Sequence, residues 1–380
     1  MKFRIDRDSF ADAVSWTARS LPTRPSVPVL AGLMIETAAD GLTLSGFDYE
    51  TSTRATLPAE VADDGRALVS GRLLAEIVKS LPNKPVDVAL DGAKVQVLCG
   101  SARFTLQTMP VEEYPRLPDM PTASGTVKAD DFATAVAQAS AAAGRDEMLP
   151  LLTGVRLELE GSTVSLMATD RFRASLRDLT WYPERGDISA HALVPARVLG
   201  ETARSLAGSG DVTIAVSAGE TGDGLIGFEG SVGTGTRRTT TRLLEGDFPR
   251  VRQLFQAQAD TVAYVSTADL VESVKRVALV AERNTPLRLT FSEGSVLLEA
   301  GSGEEAQASE AIEATLNGPD IAIGFNPTYL LEGLAVISEP YVHLAFTQHT
   351  KPAALSGVTE VGAEPDGTFR YLIMPVRLQS

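Results

Sequence analysis

The residues that could carry out chemistry are few and do not form a recognisable catalytic set. Three histidines lie in expected strands or turns, without a serine, cysteine or carboxylate partner at a familiar spacing: His191, His343 and His349. We expect a structural role for each of them. Residues 222–227 (GDGLIG) match the pattern G-x-G-x-x-G, but the FEGSVGTGT that follows predicts a hairpin where a dinucleotide-binding fold requires a helix.

Asp170 and Arg171 are the remaining candidates for a catalytic pair, although an isolated Asp-Arg pair is more typical of a turn. The sequence contains no phosphate-binding-loop pattern, no G-x-S-x-G and no metal-spaced His/Glu pair. The single cysteine, Cys99, excludes an internal disulfide and a cysteine metal cluster within one chain. We therefore predict a protein that is not an enzyme, with no catalytic residue, no metal site and no cofactor.

Length and composition indicate a folded protein of several domains. A chain of 380 residues allows two to four domains, and 44% hydrophobic with 22% charged residues is normal for a globular protein. No segment reaches the ~18 consecutive apolar residues that a membrane span requires. The first residues, MKFRIDRDSF, lack the apolar stretch of a secretory signal, so we expect a cytoplasmic protein.

The elements that must position any site occur three times. An amphipathic helix opens each copy, and the residues of one helical face recur at helical spacing. They are Phe10, Ala13, Val14, Thr17 and Leu21, then Phe132, Ala135, Val136, Ala139 and Ala143, then Leu270, Val274, Val277 and Ala281. A strand and a second helix also recur, in ALVSGRLLAEIVKSL from residue 67, ALVPARVLGETARSL from residue 192 and IAIGFNPTYLLEGL from residue 321.

Equivalent positions lie roughly 120 to 140 residues apart, so each copy is a whole domain. Solenoid repeats recur at about 20–50 residues, which excludes that class. Alternating segments with Gly/Asp turns predict antiparallel hairpins that pack against the helices. The fold class is therefore α+β, with two helices on an antiparallel sheet in each copy. Proline-containing linkers place the predicted domains at 1–124, 125–256 and 257–380, related by rotational pseudo-symmetry.

The net charge of −15 argues at face value against nucleic acid, because phosphate binding requires a basic surface. The repeated helices nevertheless carry nine basic residues: Arg19, Arg72, Lys79, Arg145, Arg197, Arg204, Lys275, Arg276 and Arg283. Most of the acidic excess lies on strands and loops. A basic helical face on an acidic exterior and an acidic protein with ordinary surface helices both remain open.

The repeat and a set of short motifs together resemble the bacterial β sliding clamp, the processivity subunit of the replicative DNA polymerase. These motifs are PTRPSVPVLAG near the N-terminus, MATDRFRAS, GDFPRV, FNPTYLL and the C-terminal YLIMPVRL. The resemblance extends over all three copies. It implies a head-to-tail homodimer that forms a closed ring around duplex DNA, with the helices lining the hole and the sheets outside. It also implies weak, sequence-independent phosphate contacts and a nucleoid-associated location in the cytoplasm.

Three sets of site residues follow from the resemblance. The DNA-binding set is Arg24, Arg72, Lys79, Arg197, Arg204, Lys275 and Arg276. A hydrophobic groove between domains two and three would take short peptides from the polymerase, the clamp loader and repair or translesion polymerases. Its residues would be Leu152, Thr169, Arg171, Arg173, Pro249, Leu254, Asn326, Tyr329, Met374, Pro375, Val376 and Arg377. Arg171 and Phe172 replace the frequent Gly and His of the family, and Gln253 replaces a frequent arginine, which affects peptide preference.

The dimer contact would join the first copy of one subunit to the third copy of the other. Its implied residues are Arg103, Phe104, Leu106, Leu279, Val280, Glu304 and Glu305, with Glu310 as a further partner for Arg103. Exposed ion pairs contribute about 0–1 kcal/mol, so we expect charge reversal at Arg103 to weaken dimerisation less than Leu106→Asp.

Two alternatives to a DNA-encircling clamp remain at this point. One is an enzyme with a site between the repeats that uses Asp170 and Arg171, and the other is a protein-interaction scaffold of the same fold without DNA. The glycine-rich segment from Ser217 to Arg237 has no assigned role.

Overall fold

The computed structural model describes residues 1–39, 41–217, 224–281, 285–301 and 306–378. They form two compact units. Unit 1 consists of Met1–Ala133, Trp181–Ala192 and Glu201–Leu243. Unit 2 consists of Thr134–Thr180, Leu193–Gly200 and Leu244–Ser380. The units do not follow the three repeats, because the central repeat contributes to both of them.

Each repeat contains two α-helices in the described residues. They are α1 (Arg7–Arg19), α2 (Gly71–Ser80), α3 (Ala129–Ser140), α4 (Ala196–Leu206), α5 (Thr267–Val277) and α6 (Pro327–Leu334). Polar side chains cap three of these helices by accepting backbone N–H bonds, as expected at helix starts: Asp6, Ser266 and Asn326. Short 3₁₀ turns occur at Pro28–Ala31, Val111–Glu113, Pro150–Thr153, Arg252–Gln256 and Ala278–Val280. None of the helices among the described residues combines the length and the apolar character needed to cross a membrane.

The described strands also divide evenly, nine to each repeat. The first repeat has β1 (Lys2–Ile5), β2 (Gly32–Ala38), β3 (Gly41–Phe47), β4 (Thr51–Leu57), β5 (Glu60–Asp63), β6 (Gly65–Ser70), β7 (Val86–Asp91), β8 (Lys94–Cys99) and β9 (Ala102–Met109). The second has β10 (Gly125–Lys128), β11 (Gly154–Glu160), β12 (Thr163–Thr169), β13 (Arg173–Thr180), β14 (Tyr182–Pro183), β15 (Ser189–Pro195), β16 (Asp211–Ser217), β17 (Leu225–Val232) and β18 (Gly235–Arg242). The third has β19 (Thr261–Ser266), β20 (Leu287–Ser292), β21 (Ser295–Ala300), β22 (Ala308–Glu313), β23 (Thr315–Asn317), β24 (Ile321–Phe325), β25 (Tyr341–Phe346), β26 (Ala353–Val358) and β27 (Phe369–Ile373).

The sheets run across the repeat boundaries. In unit 1 a fourteen-stranded sheet has the order β14-β10-β16-β17-β18-β4-β3-β2-β6-β9-β8-β7-β1-β5. A nine-stranded sheet has the order β15-β11-β12-β13-β27-β26-β25-β19-β23, and a four-stranded sheet has the order β22-β21-β20-β24. Their strands belong to unit 2, except for residues 189–192 of β15. The fourth strand of one repeat therefore pairs with the ninth strand of the next. We call the antiparallel β4–β18 pairing the first junction and the antiparallel β13–β27 pairing the second junction.

The two junctions have the same register. At the first, Thr53 is opposite Thr239, and at the second, Ser175 is opposite Tyr371. Counting along the repeated hairpins makes Phe104 of β9 the equivalent of Thr239 and Tyr371. A second contact supports this alignment. The residue five positions after Phe104, Thr239 or Tyr371 pairs in each repeat with the strand that precedes the second helix of that repeat. The three pairs are Met109 with Leu68, Leu244 N with Leu193 O, and Val376 N with Gly324 O.

Among the strands equivalent to those that pair at the two junctions, two have an edge that takes no neighbour in the described part of the chain. Strand β22 pairs with β21 alone, and residues 102–107 of β9 pair with β8 alone. These are the fourth strand of the third repeat and the ninth strand of the first. An unpaired edge of this kind presents free N–H and C=O groups to another chain.

The core of unit 1 includes one residue of the predicted dimer contact. Leu106 is only 3% exposed and packs in the apolar core with Val95 and Val97. Its side chain therefore offers no surface to a partner, and Leu106→Asp would place a charge in the core. Phe104 lies two residues earlier on the same face of β9 and is half-buried.

The histidines differ in their surroundings. His343 is buried on β25 and its ring meets that of Tyr264 edge to face, with 5.3 Å between the centroids. Burial lowers the pKa of His343, while the charge of Glu364 opposes this shift. His191 and His349 are exposed.

Candidate functional site

The predicted DNA-binding residues are all exposed. Arg72 and Lys79 on α2 occupy the same repeat positions as Arg197 and Arg204 on α4. A spacing of seven residues is about two helical turns, so each pair lies on one face of its helix. The third repeat has Thr328 and Ala335 at these positions and lacks both cations. This pair of cations is therefore a feature of the first two repeats and not of the third.

The two cations of α5 already have acidic partners. Lys275 Nζ lies 2.9 Å from Glu272 Oε1 on the same helix. Arg276 forms a two-bond pair with Glu310 of β22, with Nε to Oε2 at 3.0 Å and Nη2 to Oε1 at 2.6 Å. These hydrogen bonds raise the pKa of Arg276, and the guanidinium remains charged. Glu310 is thus already engaged within the chain. Arg24 lies in the exposed turn between α1 and the next 3₁₀ turn.

The Asp170–Arg173 segment forms a rigid turn. Asp170 Oδ1 accepts the backbone N–H groups of Phe172 (3.0 Å) and Arg173 (3.1 Å). Thr169 Oγ1 accepts the N–H of Arg171 at 3.2 Å and donates to the carbonyl of Arg173 at 2.7 Å. Arg171 has φ of 82°, in the left-handed region that favours glycine. This backbone conformation explains why a glycine suits the position of Arg171. Together with the hydrogen bonds above, it assigns Asp170 and Arg171 to a turn.

The same turn presents Phe172 to solvent. Its side chain is 56% exposed and stacks on Tyr329, with 6.2 Å between the ring centroids. The carbonyl of Phe172 accepts the N–H of Met374 at 2.7 Å, which holds the C-terminal segment beside the turn.

Arg173 is the centre of a buried polar network. Its side chain is 4% exposed, and Nε lies 2.9 Å from Asp170 Oδ2. Nη1 donates to Glu332 and, at 3.3 Å, to the hydroxyl of Tyr371, and the guanidinium lies 4.4 Å from the centre of the Tyr329 ring. Burial alone would lower the pKa of Arg173, but these partners raise it above its ordinary value. Burial raises the pKa of Tyr371 to about 12, so its hydroxyl stays a donor, here to the Tyr329 carbonyl at 2.9 Å.

Three pockets of unit 2 surround this turn and the segment before β19. One of 630 Å³ is lined by Phe172, Ala278, Ala281, Thr285, Pro286, Asn326, Pro327, Thr328, Tyr329, Leu331, Met374, Pro375 and Val376. One of 390 Å³ is lined by Gly144, Arg145, Asp146, Leu149, Leu152, Asp170, Arg171, Phe172, Arg173, Thr328, Tyr329 and Glu332. One of 490 Å³ is lined by Gln253, Leu254, Phe255, Gln256, Ala257, Ala259, Ala345, Thr347, Lys351, Pro352, Ala354, Arg370 and Leu372. The first two share Phe172, Thr328 and Tyr329.

Nine of the twelve predicted groove residues line these pockets. The other three do not: Thr169 is buried beneath the turn, and Pro249 and Arg377 are exposed elsewhere. Sequence reasoning left out Leu331, Glu332 and Arg145. Glu332 had a visible signal, because Glu76 and Glu201 occupy the same position on α2 and α4.

The predicted dimer residues are mostly on the surface. Leu279 is 84% exposed in the turn after α5, Val280 is half-buried beside it, and Arg103 is exposed on β9. Glu304 and Glu305 lie outside the described residues. The described part of the chain contains no group of three or more His, Cys, Asp or Glu residues that could hold a metal ion.

Comparison with known proteins connects this geometry to a family. The DNA polymerase III beta subunit family matches over its N-terminal domain at residues 1–118, its central domain at 126–250 and its C-terminal domain at 252–377. The beta sliding clamp of Streptomyces coelicolor is 56% identical over 378 residues, which cover 100% of both chains. The chain belongs to the bacterial β sliding clamp family.

Solved structures agree with this assignment. The DNA polymerase sliding clamp of Bacillus subtilis superposes with a TM-score of 0.89 at 26% identity, over 100% of both chains. A Pseudomonas aeruginosa sliding clamp, solved bound to griselimycin, gives the same score, identity and coverage. The predictions of an α+β clamp fold and of a non-catalytic DNA polymerase processivity factor are confirmed. The alternative of an enzyme that uses Asp170 and Arg171 is not supported.

Proposed function

We propose that two copies of this chain form a closed head-to-tail ring around duplex DNA and tether a DNA polymerase to it. The observation that carries the proposal is the pair of unpaired strand edges. Each repeat joins the next through its fourth strand and the ninth strand of its neighbour. The fourth strand of the third repeat and the ninth strand of the first have no such neighbour in the described chain, and a second copy supplies both.

The two intrachain junctions give the register of this closure. Extending it pairs β22 with β9 of the second copy, Ala308 opposite the partner's Phe104 and Ser309 opposite the partner's Arg103. We call this the third junction. The equivalent of Phe104 at the second junction, Tyr371, is fully buried, so Phe104 becomes buried when the ring closes. With two third junctions, six repeats complete the ring.

The basic helices supply the contacts to DNA. Arg24, Arg72, Lys79, Arg197, Arg204 and Lys275 would meet phosphates, while the acidic excess remains on strands and loops. Phosphate contacts carry no sequence information, so such a ring slides. A topological link requires little affinity, and this resolves the objection raised by the net charge of −15.

The pockets of unit 2 supply the tether. Leu152 and Met374 line the two pockets that contain the aromatic pair of Phe172 and Tyr329, and Leu254 lines the third pocket. Such a surface takes an extended peptide by its side chains. We infer that short segments of the polymerase, the clamp loader and repair or translesion polymerases dock here, on a ring that works in the cytoplasm at the nucleoid. Phe172 makes the centre of the groove more apolar than histidine would.

The ring is tested by retention on two DNA topologies. The protein is loaded onto nicked circular plasmid with a clamp loader and ATP, half of the sample is linearised, and both halves pass through a sizing column. A closed sliding ring stays on the circle and leaves the linear form, because only free ends release it. Equal retention on both forms would contradict the proposal.

The groove is tested with griselimycin as the probe. Tyr329→Ala removes the ring that lines two of the pockets, and we expect it to weaken griselimycin binding at least tenfold, since aromatic anchors dominate such sites. Isothermal calorimetry measures the affinity. Tyr182→Ala, at an exposed tyrosine of unit 1, is the matched control and should bind like the unsubstituted protein. Equal loss in both variants would place the site elsewhere.

A further inference from the structure

The first helix of each repeat carries a different side chain at one equivalent position: Trp16 on α1, Gln138 on α3 and Arg276 on α5. Trp16 and Gln138 are buried at the two intrachain junctions. Arg276 is exposed, with 56% of its side chain accessible. Among the residues that the structure describes, the α5 surface therefore has no counterpart of the neighbour that covers α1 and α3.

At the first junction an arginine guanidinium connects the two helices. Arg237 of β18 lies over the Trp16 ring at 5.2 Å and pairs with Asp12 of α1. Its Nη1 donates to the carbonyl of Ser205, in the last turn of α4, at 3.3 Å. The guanidinium of Arg237, which belongs to the same repeat as Ser205, thus connects the first helix of one repeat to the C-terminal end of the second helix of the next.

The second junction repeats this contact with other residues. Gln138 Nε2 donates to the carbonyl of Val336, just beyond α6, at 3.2 Å. Ser205 and Val336 occupy the same repeat position, and its equivalent in the first repeat is Ser80, the last residue of α2. Carbonyls in the last turn of a helix have no intrahelical donor, so an outside donor stabilises them.

Arg276 has the groups needed to complete the series. Glu310 occupies Nε and one N–H of Nη2, which orients the guanidinium and leaves Nη1 for another acceptor. A cation is also favoured at a helix C-terminus by the partial negative charge there. The Glu310 carboxylate balances the charge that Arg276 would bring close to Lys79 on the partner's α2.

We propose that Arg276 donates to the carbonyl of the partner's Ser80 and joins the two subunits of the ring, rather than contacting DNA. The proposal rests on the proposed dimer. It adds a third helix-to-helix contact to those at Ser205 and Val336. It removes Arg276 from the DNA-binding set and keeps its neighbour Lys275 there.

The test compares Arg276→Ala with Lys275→Ala, since the two cations are adjacent on one helix. Sedimentation over a dilution series should show a dimer Kd raised roughly ten- to hundredfold for Arg276→Ala, because each of the two third junctions of the dimer loses a charged hydrogen bond. Lys275→Ala should stay within twofold. At concentrations that keep both dimeric, binding to a duplex oligonucleotide should weaken for Lys275→Ala and be unchanged for Arg276→Ala.

The outcomes separate this proposal from the ring itself. If the unsubstituted protein is monomeric at all concentrations, the proposed ring fails. If it is a dimer and Arg276→Ala has a Kd within twofold, only the role of Arg276 fails. Thermal unfolding of Arg276→Ala in a monomeric Phe104→Asp background should match that background alone. Lower stability there would assign the effect to the lost Glu310 pair and overturn the proposal.

Discussion

Replacing Phe104 with aspartate is expected to convert the dimer to monomers. The side chain is half-buried in one chain. In the proposed third junction it would become fully buried opposite Ala308 of the partner. Both interfaces of the ring carry the change, and at about 2 kcal/mol for each the dimer Kd rises about a thousandfold. Sedimentation equilibrium measures the shift, and retention on circular plasmid should be lost with it.

Thr105→Asp is the matched control, because it puts the same charge on the neighbouring residue of the same strand, where the side chain is exposed. We expect it to remain a dimer, as we do for charge reversal at Arg103. Leu106→Asp should instead lower the stability of unit 1, because Leu106 belongs to its core. A Phe104→Asp protein that stays dimeric at nanomolar concentration would contradict the third junction.

Replacing Arg173 with alanine is expected to lower the free energy of unfolding of unit 2 by about 3 kcal/mol. The change leaves the carboxylates of Asp170 and Glu332 and the hydroxyl of Tyr371 without their shared partner. Removing one member of a buried ionic network is strongly destabilising, because the remaining carboxylates stay partly buried and lose their charged bonds to the guanidinium. Urea unfolding followed by circular dichroism measures the loss.

Two comparisons make this result specific. Both tryptophans, Trp16 and Trp181, belong to unit 1, so their fluorescence during the same titration should change far less than the dichroism. Arg145 is the second partner of Glu332, and the Arg145 side chain is 80% accessible. Arg145→Ala should therefore lower the free energy of unfolding by less than about 1 kcal/mol. Equal losses for Arg145→Ala and Arg173→Ala would show that the buried network stabilises unit 2 no more than an exposed ion pair does.

The sequence predicted the repeated elements well, because their signal is local. The helices predicted at Phe10, Phe132 and Leu270 and the three second helices occur, although the first set ends before the last predicted stripe residues, Leu21, Ala143 and Ala281. The α+β class followed from the same periodicity. The domain boundaries at 124 and 256 stay a prediction, since the compact units are defined by sheets that cross them. A period-two pattern indicates that a strand has two faces, but it does not identify the neighbouring strand. The pairing of β4 with β18 could therefore not be predicted from either segment.

The site was predicted in part, and mostly by resemblance. Asn326, Tyr329 and Met374 share a pocket although the chain separates them, which no spacing rule indicates. The burial of Leu106 in the core of its own unit was not foreseen. Phe104 and Leu106 lie on the same face of β9, and alternation alone cannot distinguish the residue that meets its own core from the one that meets a partner. The pairing of Arg276 with Glu310 was also invisible, because β22 crosses α5 only in the folded chain.

The first junction also has a consequence for how the protein is made. Thr51 and Thr241 hydrogen-bond through their hydroxyls at 2.9 Å, although 190 residues separate them. A ribosome adds about 5–20 residues per second, so β4 waits about 10–40 s for β18 to emerge. During that interval the nascent first repeat exposes the edges of β4 and β9 together. A fourth strand pairs with a ninth strand at each junction, so the β4 edge of one chain can pair with the β9 edge of another. Neighbouring nascent chains on one messenger therefore present matching edges, and cotranslational mispairing is the characteristic hazard of this architecture.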